Sequence, residues 1–121
     1  EKLYTFYGMR TLEEADPEFH PYYEGAMEKR DMAYHQGTVW TFPLGAYYLA
    51  YLKVHAYSER AKQDVKEQLE VLECALKEGC IGQLPEIYDG KNPVSSKGCF
   101  AQAWSVGELL RVYEQIEKKK K

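Results

Sequence analysis

Nothing in the 121-residue sequence approaches the run of about 18 apolar residues that a membrane-spanning helix requires. No membrane partner is therefore expected. Cysteine is scarce: only Cys74, Cys80 and Cys99 occur, an odd number with no Cys-x-x-Cys spacing. That pattern favours free thiols in a reducing compartment, here the cytoplasm, over a disulfide framework or a zinc site. No cluster of His, Cys, Asp or Glu has ligand spacing, so no metal and no other cofactor is expected. An excess of basic charge is missing too. Sixteen Lys and Arg stand against 19 Asp and Glu, a formal net charge of -3. A nucleic-acid partner calls for a basic face, so none is expected. The one basic cluster, Lys118 to Lys121, reads as a solvated helix end rather than a phosphate-binding patch.

What is present suits one domain over residues 1–121. Hydrophobic residues make up 45%, enough to bury a core. Tyrosine is abundant, 11 of 121 residues. An aromatic ring with one polar end fits surfaces that are half apolar and half wet. Sugar-binding clefts are such surfaces, and so are ordinary interfaces.

The periodicity predicts an all-α fold with three long helices and long ordered loops. Glu1 to Arg30 shows no sustained period and carries Pro17, Pro21 and Gly25. It reads as extended with turns, with one short helical turn near Leu12 to Ala15. Val39 to Ala56 reads as a helix, because Leu44, Tyr47, Tyr48, Tyr51, Leu52 and His55 recur at three- and four-residue steps. Thr38 or Thr41 is its candidate cap, and Pro43 suits its first turn. Ser58 to Glu78 is the clearest amphipathic helix. Ala61, Val65, Leu69, Leu72, Ala75 and Leu76 form its stripe, Ser58 is its candidate N-cap and Gly79 its stop. Cys80 to Lys97, broken by Gly82, Pro85, Gly90 and Pro93, reads as a long loop. Cys99 to Glu117 reads as a helix apolar on nearly every side. That helix and Val39–Ala56, whose apolar stripe is wide, need more cover than three helices can give each other. They predict long loops folded over them, a larger body, or self-association.

Several stretches carry a resemblance. "YHQGTVW" (Tyr34 to Trp40), "GQLPEIYDG" (Gly82 to Gly90) and "GCFAQAWSVGELLR" (Gly98 to Arg111) resemble the C-terminal end of bacterial and archaeal glycogen debranching enzymes, the amylo-α-1,6-glucosidases. "YGMRTLEEADPEF" (Tyr7 to Phe19) and "YYEGAMEKRDMAYHQG" (Tyr22 to Gly37) do so too, in the same order. The resemblance implies part of an (α/α)₆ toroid of alternating inner and outer helices. This chain would supply roughly its last quarter, with Val39–Ala56 and Cys99–Glu117 inner and Ser58–Glu78 outer. The more distant glucoamylases share a pattern matched here by Glu86, Tyr88, Asp89, Gly90, Trp104 and Ser105. It implies Glu86 as the general base of an inverting α-glucosidase. It places His35, Gln36, Trp40 and Trp104 at an α-glucan or oligosaccharide. The partner acid would lie upstream, so the isolated chain is expected to be inactive. Two departures from the family pattern fall near the sugar: Trp40-Thr41-Phe42-Pro43, and Val94-Ser95-Ser96-Lys97 before Gly98.

Each candidate has a plainer reading. Glu86 could cap a turn, Trp104 could be core, Asp89 beside Gly90 could be turn chemistry. His35 could be structural, with Asp31 orienting it across a helical turn, and His20 and His55 read as structural or exposed. The rival reading of the whole chain is a noncatalytic helical remnant, a domain that binds glucan or self-associates.

Overall fold

The computed structural model describes residues 2–118; of the basic tail, residues 119–121 lie outside them. Its heart is a helical trio. Helix α2 (Pro43–Val54), α3 (Glu59–Glu73) and α4 (Ala103–Glu117) share one core. α2 contributes Leu44, Tyr48 and Leu52, α3 contributes Ala61, Val65, Leu69 and Leu72, and α4 contributes Leu109 and Val112. Each fully buried Leu or Val is worth about 1.5–3 kcal/mol over leaving it in water.

The amphipathic reading of α3 holds. Its apolar stripe is buried, and the Ser58 side chain caps it by accepting from the Ala61 N–H at 3.3 Å. A 3₁₀ turn, Cys74–Lys77, prolongs it, and Gly79 at φ +56° follows as the stop. Pro43 opens α2 as expected. The threonine caps do not form. The Thr41 hydroxyl donates instead to the Tyr7 carbonyl at 2.8 Å, and that of Thr38 to the Tyr34 carbonyl at 3.2 Å.

The all-α expectation needs correcting. Five short strands form one antiparallel sheet in the order β1-β2-β3-β4-β5: β1 (Tyr4–Thr5), β2 (Gly8–Arg10), β3 (Val39–Trp40), β4 (Ile87–Tyr88) and β5 (Ser96–Lys97). In the registers that matter below, Met9 pairs with Trp40, Trp40 with Ile87, and Ile87 with Lys97. Val39 and Trp40 are therefore not the start of a helix. Their backbone groups are taken by strands on both sides, and α2 starts only at Pro43. The stretch Cys80 to Lys97 is likewise not all loop, since β4 and β5 lie in it. Cys99 to Gln102 stays outside α4. The Cys99 carbonyl accepts from Glu86 N–H at 2.8 Å and Gln102 N–H donates to Leu84 at 2.8 Å, so this segment runs beside Leu84–Glu86.

A fourth helix, α1 (Met27–His35), was not expected. Only Ala33 of it is buried, so it has no stripe to read. Leu12 to Ala15 makes no helix; a turn closes there through Asp16 N–H to Glu13 at 3.1 Å. The extended segment after it is strapped down: His20 N–H to Gln36 (2.8 Å), Gly90 N–H to Pro21 (2.7 Å) and Tyr23 N–H to the Asp89 carboxylate (2.9 Å). Asp89, buried and 3.7 Å from Lys97 Nζ, is thus a clamp between segments rather than a turn residue alone. Large apolar groups remain in solvent on the helices, Val54 of α2 and Trp104 and Leu110 of α4 among them. Among the described residues, no helix is long and apolar enough to cross a membrane.

Candidate functional site

Glu86 stands immediately before β4, where the chain leaves Pro85. Two contacts fix that approach. The buried Ser105 hydroxyl, in the first turn of α4, donates to the Pro85 carbonyl at 2.9 Å. Glu86 N–H and the Cys99 carbonyl then pair at 2.8 Å. The half-buried carboxylate has a donor on each oxygen. The Tyr34 hydroxyl, from the end of α1, donates to Oε1 at 2.6 Å, and Cys99 N–H donates to Oε2 at 3.0 Å. Gly98 makes room for this. It sits at φ +68°, and a Cβ there would lie 2.5 Å from Glu86 Oε2.

Tyr34 joins the carboxylate to an aromatic group. Its ring meets Trp40 edge-on at 4.5 Å, and its carbonyl accepts from Trp40 Nε1 at 3.3 Å. Trp40 lies edge-on to Phe42 (6.0 Å) and to Trp104 (6.1 Å). Phe42 and Trp104 stack at 4.4 Å. β3 thus sends Trp40 toward a partner supplied by the first turn of α4, and Trp104 keeps 45% of its surface in solvent. Burial first, and the Glu86 carboxylate second, push the Tyr34 phenol up to about 12. It therefore keeps its proton and is a hydrogen-bond donor at any physiological pH.

In front of Glu86 lies an open hollow of about 300 Å³ lined by Tyr23, Met27, Arg30, Asp31, Tyr34 and Glu86. Larger hollows occur elsewhere, but most of their acids are paired with basic side chains. One of about 510 Å³ holds Glu14, paired with Lys91, and the clamp Asp89. One of about 370 Å³ holds Asp64, paired with Arg60. Chemistry rather than size singles out the Glu86 hollow.

Of the residues singled out in the sequence, Glu86, Trp40 and Trp104 fall into one neighbourhood. His35 borders it only through ring contact with Tyr34 at 5.2 Å. Its side chain is 68% exposed, with Nε2 3.8 Å from Asp31 Oδ1. Gln36 ends α1 and uses its backbone there: N–H to Met32 and carbonyl to His20, both at 2.8 Å. His20 Nδ1 lies 2.6 Å from the Glu18 carbonyl, and His55 packs on Tyr51 at 4.4 Å. The sequence reading passed over Tyr34, Tyr23 and Gly98, and met Phe42 only as part of a departure from the family pattern. Tyr34 opens the "YHQGTVW" stretch, but no local pattern pairs it with an acid 52 residues away. Among the described residues, no group of three or more His, Cys, Asp or Glu is placed to hold a metal ion. The three cysteines are free, with Cys74 and Cys99 exposed.

A family model described as amylo-alpha-1,6-glucosidase matches residues 1–111. No curated protein and no solved structure matches the chain.

Proposed function

The chain belongs to the amylo-α-1,6-glucosidase family, and from that premise we propose that it is the C-terminal segment of a debranching-type α-glucosidase of the cytoplasm, with Glu86 as general base. The reaction is hydrolysis of α-1,6 branch linkages in an α-glucan with inversion at the anomeric carbon. Such a reaction needs an acid on the leaving oxygen and a carboxylate activating water on the opposite face, about 6.5–9.5 Å away. The acid comes from outside these 121 residues, so the chain alone turns nothing over.

The observation that carries this reading is the seat of Glu86. A base must hold one water in one place, which requires a carboxylate that does not swing. Tyr34 and the Cys99 N–H each take one lone pair of a different oxygen. Glu86 also lines the open hollow of about 300 Å³. Trp40 and the half-exposed Trp104 belong to the aromatic group that Tyr34 joins to the carboxylate, and aromatic rings suit the C–H faces of a glucose ring. In the toroid, α2 and α4 are inner helices and α3 an outer one. The polar face of α3 and the uncovered apolar groups of α2 and α4 support that assignment.

The test is Glu86→Gln in the full-length polypeptide. The amide keeps the shape but takes no proton, so kcat falls by about 10²–10⁴-fold. KM changes little, since the lost interaction belongs to the transition state. Glu70→Gln, at an exposed position of α3, is the control and stays within about twofold. Equal behaviour of the two variants overturns the base assignment. The same exposed groups, Val54, Trp104 and Leu110, favour a second reading, a noncatalytic helical domain that covers them with another copy of itself.

A further inference from the structure

We propose that Tyr34 is the positioning residue for Glu86, holding the base carboxylate and the aromatic wall in one fixed relation. The inference rests on the base assignment above and goes one residue further. At 2.6 Å the Tyr34–Glu86 contact lies in the range of hydrogen bonds from a hydroxyl to an ionised acceptor. It is the only side-chain donor to that carboxylate among the described residues; the other donor is the backbone of Cys99.

A positioning group must itself be held, and Tyr34 is. Its carbonyl accepts from both Trp40 Nε1 (3.3 Å) and the Thr38 hydroxyl (3.2 Å), which locks the end of α1 over β3. Its ring has Trp40 edge-on at 4.5 Å on one side and Tyr23 at 6.0 Å on another. The phenol therefore has one direction in which to point. Because it stays protonated well past neutral pH, it donates in every state the base passes through. When Glu86 takes the proton of the attacking water, Tyr34 neither gains nor loses one. It acts only through the orientation of Oε1.

The ring also touches Trp40, so a sugar resting on the Trp40 and Trp104 faces is registered against the same support that holds the base. That shared support gives the residue a purpose that ordinary packing would not. A carboxylate with only the Cys99 N–H to hold it can rotate about its last torsion, which is broad for a glutamate. Each rotated state moves the bound water off its line to the anomeric carbon.

The experiment uses the full-length polypeptide with Tyr34→Phe, Glu86→Gln and the pair together. Phenylalanine removes one oxygen and keeps the ring against Trp40, so the fold persists. In the native background kcat falls about 10- to 100-fold, the span of a lost hydrogen bond to a charged group, with KM within about twofold. In the Glu86→Gln background, Tyr34→Phe costs nothing further beyond about twofold, because there is no base left to position. A Tyr34→Phe variant with native kcat overturns the positioning role while Glu86→Gln still reports on the base. An equal loss in both backgrounds overturns it too, since Tyr34 then acts independently of Glu86. A harmless Glu86→Gln removes the base reading and this inference with it.

Discussion

Replacing Gly98 by alanine tests the seat of Glu86 without touching the acid. Two costs arise. The first is backbone: φ is +68° at Gly98, and a residue with a Cβ in the left-handed region costs about 1–2 kcal/mol. The second is contact. The new Cβ would lie 2.5 Å from Glu86 Oε2, 3.2 Å from Ile87 Cγ1 and 3.3 Å from Glu86 Cβ. The first distance is about 1 Å inside a comfortable van der Waals separation. The carboxylate must move, and its bond from Cys99 N–H stretches or breaks, at about 1.5–3 kcal/mol for a bond to a charged acceptor. The total is about 2.5–5 kcal/mol. Gly82 isolates the backbone part: its φ is +78° and a Cβ there meets nothing within 4 Å. Urea unfolding followed by far-UV circular dichroism reads both variants. With a slope of about 1–3 kcal/mol/M, Gly82→Ala lowers the midpoint by about 0.3–2 M, and Gly98→Ala lowers it by about two and a half times as much as Gly82→Ala. Adding Glu86→Ala to Gly98→Ala recovers part of the loss, because the oxygen in the way is gone. If Gly98→Ala and Gly82→Ala unfold at the same urea concentration, the carboxylate is not seated as described.

Alkaline titration gives an independent check. Burial raises the phenols of Tyr48, Tyr88 and Tyr113, and that of Tyr34 reaches about 12. A folded value above the unfolded one of about 10 means stability is intact below pH 10 and is lost as pH climbs through the folded value. Absorbance near 295 nm should therefore show a late-ionising class of tyrosines, with Tyr34→Phe removing one member near pH 12; a single class at about pH 10 refutes it. The apolar groups left in solvent on α2 and α4 predict that the isolated chain self-associates, most simply as a symmetric dimer. Sedimentation across a wide concentration range checks this, and a monomer throughout counts against it.

How much could be read from the chain depends on how each element announces itself. α3 was legible to its cap and its stop because Ala61, Val65, Leu69 and Leu72 repeat on one face and Ser58 precedes them. α1 was not, because only Ala33 of it meets the core and helix period needs a buried stripe to show. The sheet was invisible for another reason. Its strands are two or three residues long, too short for alternation to be counted. What makes them strands is pairing with distant segments, as when Val39–Trp40 fits between β2 and β4. The helical pattern of Leu44 to His55 ran backwards through that stretch and absorbed it. At the site, Glu86, Trp40 and Trp104 were singled out as candidates by their residue types within stretches resembling a family. The side chain that ties the first two together was not, since a hydrogen bond between Tyr34 and Glu86 leaves no mark in the local sequence of either.

The sheet links chain regions that helices keep apart, and this has a kinetic consequence. Of the helical trio only α2 and α3 are neighbours in sequence, whereas α2–α4 packing, β2–β3 and β3–β4 each close a long loop before any contact is gained. The part that carries Glu86 is therefore built from contacts of high sequence separation. Its carboxylate meets a phenol 52 residues away only after those loops have closed. A refolding chain would regain the local α2–α3 pair first, and the environment of Trp40 would report the closing of the site as a separate, slower event.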